Sequence, residues 1–346
     1  MGERILLQAA LEPLPFAKPF RIAGHVFTEV PAVVVTLSDG THTGRGEAAG
    51  VYYTGDDAPA MLAAIEAVRG AVEAGITREA LRGALPPCGA RNAIDCALWE
   101  LEANRTGKPV WELAGLPAPG PLLTTFTLGA DVPGAMAEAA IAYAQARALK
   151  LKLTGDLDID IARVRAVRAA RPDCWIGVDA NQGFDIEELG PLIATLVDTR
   201  VALLEQPLKR GCEADLDGFH SPVPIAADES ALDLSELPAL AGRFDVVNIK
   251  LDKCGGLTEG LEIARQARAL GLDVMVGNMV GSSLAMAPAY LLGQLCDIVD
   301  LDGPTFLAKD RTPGIHYADG LIHCGEDVWG RAAAGTERQS AFVGTS

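Results

Sequence analysis

At 346 residues the chain is longer than one simple domain and within range for a large α/β barrel carrying an extra module. Hydrophobic residues make up 49%, enough for a sizeable core, yet no segment approaches the ~18 consecutive apolar residues of a membrane span. A net charge of −17 argues against nucleic acid and anionic membrane as partners, and leaves small ligands open because they answer to local charge.

The opening stretch, MGERILLQAALEPLPF, has no basic segment leading into an apolar run, so no secretory signal is expected. Seven scattered cysteines without a CxxC or a zinc-like cluster fit a reducing cytosol, and a cytoplasmic location is the expectation. PAVVVTLSDG reads as a strand ending in an Asp-Gly turn, and THTGRGEAA as the next strand of a meander. Residues 58–113 read as Ala-rich amphipathic helices, with Ile94, Ala97, Leu98 and Leu101 at helical spacing. GLPAPGP, residues 115–121, reads as a linker.

Beyond it the rhythm changes. Short apolar runs recur as TTFTLG, ALKLKL, WIGVDAN, VALLEQP, PIAADES, DVVNIKLD, LDVMVGNM and DIVDLDG, separated by stretches such as AEAAIAYAQARA and LTEGLEIARQARALG. Eight strands alternating with amphipathic helices imply a parallel sheet closed into a barrel, with its active site at the C-terminal strand ends. Domain boundaries accompany this pattern: residues 1–120 form an α+β capping domain and 121–308 the barrel. The segment 309–346, with its hairpin-like GIHYADGLIHC, is expected to return to the first domain.

Polar residues that break the apolar runs mark the site. Lys150 and Lys152 lie two apart on the second run and share one strand face, although an ammonium facing a core is strongly disfavoured without compensation. Asp179, Glu205 and Asp228 end the third, fourth and fifth runs, and Lys250 ends the sixth. Taken singly, each acid could be a helix cap or a loop ion pair. Three oxygen donors projecting from adjacent strands, with no His or Cys nearby, suit Mg²⁺ rather than zinc. Lys152 precedes this set and Lys250 comes after it, so the two amines would flank a bound substrate. One could remove a proton α to a carboxylate and the other return one on the opposite face, through a metal-stabilised enediolate.

As a set, the capping domain, the ARNAIDCALWELEA helix, the lysine pair, the Asp/Glu/Asp triplet and NIKLDKCGGLTEG resemble the enolase superfamily, in its muconate-lactonizing-like branch. A lysine base working with Mg²⁺ is established chemistry of that superfamily. The resemblance implies a modified TIM barrel of (β/α)7β type with an α+β capping domain, and one Mg²⁺ per subunit. It implies Lys152 and Lys250 as acid/base catalysts, and Asp179, Glu205 and Asp228 as metal ligands. Lys150 would stabilise charge near the substrate carboxylate, and Asn181 would orient the first ligand. Homo-oligomeric assembly stays open.

The branch contains racemases, epimerases, cycloisomerases and a dehydratase-type synthase, and DIVDLDGP separates them. Asp300 and Asp302 can both face the barrel mouth, where two close carboxylates call for a cation such as an ammonium. Asp302, before Gly-Pro, could also be a turn residue. The Asp-x-Asp resembles the motif with which dipeptide epimerases hold the free N-terminus of a dipeptide. A Mg²⁺-dependent epimerase inverting the C-terminal residue is therefore expected. The alternatives are an N-acylamino acid racemase or another member, o-succinylbenzoate synthase-like or cycloisomerase. Thr125 and Asn278 match substrate-lining positions of that family, and Ser282 and Ser283 could offer donors to the carboxylate. In family members acting on L-Ala-L-Glu, FxIAR supplies an arginine to the glutamate. Here FRIAGH places Gly24 there, and neither Arg21 nor His25 occupies the matching position. Glutamate specificity is thereby put in question. An apolar or cationic side chain is open, with Tyr52 and Tyr53 of the capping loop helping to choose it.

Overall fold

The computed structural model describes residues 4–22 and 25–331. The substitution at Gly24, and the side chains of Arg21 and His25 beside it, lie outside the described residues.

The chain opens with a three-stranded antiparallel sheet of β1 (Leu6–Ile22), β2 (His25–Ser38) and β3 (Thr43–Ala48). β1 carries Pro13, Pro15 and Pro19, which cannot donate to a ladder; accordingly it lies at the edge of the sheet, beside β2. Ile5, Leu7, Val33, Val35 and Leu37 alternate onto the buried face. Against that face pack α1 (Ala58–Glu73), α2 (Arg78–Ala84) and α3 (Gly89–Thr106), after which comes the short α4 (Val110–Leu113). The Asp57 side chain caps α1 by accepting from the Ala60 N–H. α3 lies close on β3 because Gly46 has no side chain: a Cβ there would sit 2.0 Å from the Ala93 carbonyl oxygen.

A short strand, β4 (Leu122–Leu123), precedes the barrel. The barrel strands are β5 (Thr125–Leu128), β6 (Ala148–Lys152), β7 (Trp175–Asp179), β8 (Leu203–Glu205), β9 (Ile225–Ala227), β10 (Val246–Ile249), β11 (Asp273–Val276) and β12 (Ile298–Val299). They form one parallel sheet in chain order, which matches the eight apolar runs. The runs are almost continuously apolar because parallel strands under helices are buried on both faces. Alternation with helices is incomplete. α5 (Pro133–Ala142), α6 (Leu157–Ala170) and α7 (Ile186–Asp198) come after β5, β6 and β7, but only a 3₁₀ turn (Glu213–Leu216) comes after β8. β9 leads to the one-turn α8 (Leu237–Leu240), β10 to α9 (Leu251–Cys254) and α10 (Leu257–Ala269), and β11 to α11 (Ser283–Gly293). After β12 there is a 3₁₀ turn, Gly303–Phe306.

Among the described residues no ladder joins β5 to β12. Side chains close that seam instead. The Thr125 hydroxyl donates to Asp300 at 2.5 Å, the Thr127 N–H to Asp302 at 2.6 Å, and the Leu301 N–H to the Thr124 hydroxyl at 3.0 Å.

The expected hairpin forms as β13 (His316–Ala318) and β14 (Leu321–His323), but it pairs with β4, at the end of the barrel where β5 begins. Its flanks reach the first domain instead. The Trp329 indole donates to the Arg45 carbonyl at 2.9 Å, and the Arg311 guanidinium to Glu47 and Glu12. Among the described residues no helix is long and apolar enough to cross a membrane.

Candidate active site

The barrel register brings the key residues to one level. Lys152 on β6 is the register partner of Asp179 on β7, and Asp179 that of Glu205 on β8. Asp228 and Lys250 come directly after the last residues of β9 and β10. All five side chains are buried, and one carboxylate oxygen from each of the three acids lies within 4.8 Å of the others.

Lysines neutralise this acid cluster. Lys152 Nζ lies 2.6 Å from Asp179, and Lys250 Nζ 2.6 Å from Asp228. Lys150 Nζ reaches three acids, Glu205 at 2.7 Å, Asp300 at 2.9 Å and Asp179 at 3.1 Å. Burial works against the charge of Asp179, but Lys152 and Lys150 outweigh it and hold its carboxyl down at about 2. Glu205 is pushed up to about 7, first by burial and then by Asp179 beside it. Burial would lower the Lys250 ammonium, yet Asp228 raises it above the ordinary lysine range.

The donor set passes the test for a hard divalent cation: it is all carboxylate oxygen, fully desolvated, and convergent within a few ångströms. Burial first and Asp179 second raise the Glu205 carboxyl, and a cation held between the two acids would favour its ionised form.

Supporting contacts fix these groups. The Asn181 N–H, from a residue with φ of +44°, donates to Asp179 at 3.0 Å. Asn181 thus orients Asp179 through its backbone and not its carboxamide, whose oxygen is buried without a partner. The Asn248 amide donates to Glu205 at 2.8 Å. Gln206 accepts from the N–H groups of Asp228 and Ser230, and the fully buried Lys253 donates to an Asp228 carboxylate oxygen at 2.6 Å. None of Asn248, Gln206 and Lys253 stands out in the sequence. Their only signal is that they are polar residues next to the acids and lysines, in NIK, EQP and KLDK.

A cavity with about 220 Å³ open to the centre of a water molecule lies over the cluster. Lys150, Lys152, Lys250, Asp228, Asn181, Asn278, Asp300 and Asp302 line its floor and one wall, and Tyr52, Tyr53 and Phe27 come from the capping domain. Two expectations need correcting. Ser282 does not reach the cavity: its N–H and hydroxyl bond to the buried Glu47, and Arg311 donates to the same hydroxyl, so it belongs to the joint between domains. Ser283 likewise bonds to Asp310. Thr125 is buried behind Asp300, and it is Thr127, two residues on and nearer the strand end, that lines the cavity. Asp300 also has a cation already, Lys150, while Asp302 faces the cavity with the Thr127 N–H as its donor. Burial, then Asp300 beside it, pushes the Asp302 carboxyl up to about 7.

Asp252 likewise carries no distinguishing signal in the sequence. It is buried two residues past Lys250 and accepts from the N–H groups of Ala49 and Gly50, each at 2.9 Å. This ties the capping loop bearing Tyr52 and Tyr53 to the turn that follows Lys250. On the other side of that turn, Arg91 of α3 donates to the Gly255 carbonyl at 3.1 Å and Asp95 accepts from the Thr258 N–H at 3.0 Å. The ARNAIDCALWELEA helix therefore clamps the loop just after Lys250.

Residues 7–115 match the N-terminal domain of the mandelate racemase / muconate lactonizing enzyme family, and residues 134–323 match the enolase C-terminal domain-like family. The chain belongs to this family. It is similar to an L-Ala-D/L-Glu epimerase of Escherichia coli, 41% identical over 90% of this chain and 97% of that protein. It is also similar to an N-acetyl-D-glutamate racemase of Pseudoalteromonas, 43% identical over 72% of this chain and 78% of that one. A solved enolase family member from Agrobacterium tumefaciens with homology to dipeptide epimerases, holding sodium and L-Ala-L-Glu, superposes with a TM-score of 0.89 at 40% identity. The match covers 94% of this chain and 100% of that one. A dipeptide epimerase from Methylococcus capsulatus, solved with Mg and L-Arg-D-Lys, gives a TM-score of 0.86 at 31% identity, covering 93% and 97%. The family's relatives are epimerases and racemases, that is, isomerases.

Proposed function

We propose that this chain is a Mg²⁺-dependent dipeptide epimerase that inverts the α-carbon of the C-terminal residue, acting in the cytoplasm, where its seven free cysteines would stay reduced. Asp179, Glu205 and Asp228 would hold the ion, which when bound offsets the negative charge that builds on the substrate carboxylate. Lys152 and Lys250 come from opposite flanks of the acid cluster and both line the cavity, and this observation carries the proposal. One lysine, entering as the free amine, takes the α-proton while the C–H electrons move into the carboxylate. The other, entering as ammonium, gives a proton to the opposite face of the same carbon. Lys150 adds positive charge where the carboxylate gathers electrons. Asp302, with Asp300 beside it, receives the substrate's free ammonium.

Racemisation of N-acetylamino acids is the second reading, favoured by the similarity to N-acetyl-D-glutamate racemase. Such substrates bring no ammonium and would leave the buried Asp302, whose donor is the neutral Thr127 N–H, without a cation in contact, which favours the dipeptide. The test is deuterium uptake in D₂O with Mg²⁺, comparing L-Ala-L-Xaa with N-acetyl-L-Xaa by mass. Label in the dipeptides alone is expected; label in the N-acetyl compounds alone overturns the proposal. Lys152→Ala and Lys250→Ala should each cut inversion by about 10²–10⁴-fold, with unchanged circular dichroism.

A further inference from the structure

The epimerase reading leaves one bond of the reacting carbon unassigned, and the subsite for that bond depends on the same reading. The carboxylate points to the acid cluster on β7, β8 and β9. The amide nitrogen leads toward the ammonium at Asp300 and Asp302, past the end of β12. The C–H axis runs between Lys152 and Lys250. The fourth bond, to the side chain, is left with the direction out of the barrel mouth, under the capping domain.

That part of the cavity is lined by Phe27, Val30, Tyr52 and Tyr53. The rings form a continuous wall: Phe27 meets Tyr52 edge to face at 5.4 Å, and Tyr52 meets Tyr53 at 5.2 Å. Among the described lining residues the cations are Lys150, Lys152 and Lys250, and each already lies against a carboxylate. Besides Asp228, Asp300 and Asp302, the acids Glu29, Asp56, Asp57 and Glu229 line the same cavity, and Glu229 is buried with one carboxylate oxygen that has no hydrogen-bond partner. A glutamate side chain placed here would lose its water against aromatic carbon, find among the described lining residues only cations already held by carboxylates, and face charges of its own sign. A large apolar side chain would bury its area on the ring wall, with edge-to-face contacts open to an aromatic one.

We infer that this subsite selects a large apolar or aromatic C-terminal residue and rejects an acidic one, with Phe27 as a specificity-determining residue. The chain then differs in substrate from the L-Ala-D/L-Glu epimerase of Escherichia coli despite 41% identity. The test measures kcat/KM for inversion of L-Ala-L-Phe, L-Ala-L-Leu and L-Ala-L-Glu by the full-length enzyme with Mg²⁺, monitoring deuterium uptake. L-Ala-L-Phe and L-Ala-L-Leu should each exceed L-Ala-L-Glu by at least about tenfold, the scale on which apolar pockets discriminate. Phe27→Arg, which supplies a fork for a carboxylate, should move that ratio toward L-Ala-L-Glu by about tenfold or more. Equal or faster turnover of L-Ala-L-Glu by the unmodified enzyme overturns the subsite while leaving the epimerase intact. Exchange with none of the three overturns both.

Discussion

A buried ammonium needs a counter-charge within a few ångströms, and Lys150 and Lys152 find theirs in Asp179, Glu205 and Asp300. Such residues were legible because strong charges interrupt runs that otherwise read as core. Hydroxyls carry no such signal. Thr125 and Ser282 match substrate-lining or donor roles in sequence, yet each is occupied by a distant acid, Asp300 or Glu47, that only the fold brings near. Asp302 has a consequence that titration can read. Its carboxyl stands at about 7, and an ammonium binds only the ionised form. Affinity for free-amine dipeptides should therefore fall as pH drops below about 7, with KM rising up to about tenfold per unit. Asp302→Asn keeps an acceptor for the Thr127 N–H but should flatten this slope and raise KM, with kcat less affected. A slope unchanged in the variant would remove Asp302 from recognition.

Among elements, the barrel strands were plain from their apolar runs, whereas β1 was not. Its prolines disguise a strand that survives by taking an edge, where missing donors face outward. The helix α3 was legible as a motif, but its purpose was not: Arg91 and Asp95 act through backbone atoms of a loop more than 150 residues away. Asp252 works similarly on the capping loop. Asp252→Ala strips two N–H groups of their acceptor, a loss of about 1–3 kcal/mol for each buried group, and frees the Tyr52–Tyr53 turn. The expected outcome is a KM raised more than kcat is lowered, with Asp252→Asn, which retains a carbonyl acceptor, restoring most of it. Steady-state kinetics of the two variants decides this, since general destabilisation would instead lower the active fraction and leave KM in place.

At the scale of the whole molecule, two domains are tied together by charges with no role in proton transfer. Glu47, buried in the capping sheet, gathers Arg311 and Ser282 from beyond β11 and β12. Glu47→Ala strips the buried Ser282 N–H of its acceptor while Arg311 keeps Glu12, and should cost about 1–3 kcal/mol in denaturant unfolding. A cation in the acid cluster would add a further link across β7, β8 and β9. Mg²⁺ should raise Tm, by the equivalent of about 2.7 kcal/mol at a hundred times its Kd, and a chelator should reverse the gain. Glu205→Gln should abolish this metal-dependent rise; a rise that persists would place the ion elsewhere.

The seam between β5 and β12 carries one more implication. Seven joints of this cylinder are held by main-chain ladders that are indifferent to which side chains they bear, so their residues can drift. The eighth is stitched by Asp300 and Asp302 through Thr125 and Thr127, the same acids that face the ligand. Evolution or engineering cannot retune recognition at that stave without also loosening the hoop. New specificities are therefore easier to reach through the capping loops than through the barrel wall.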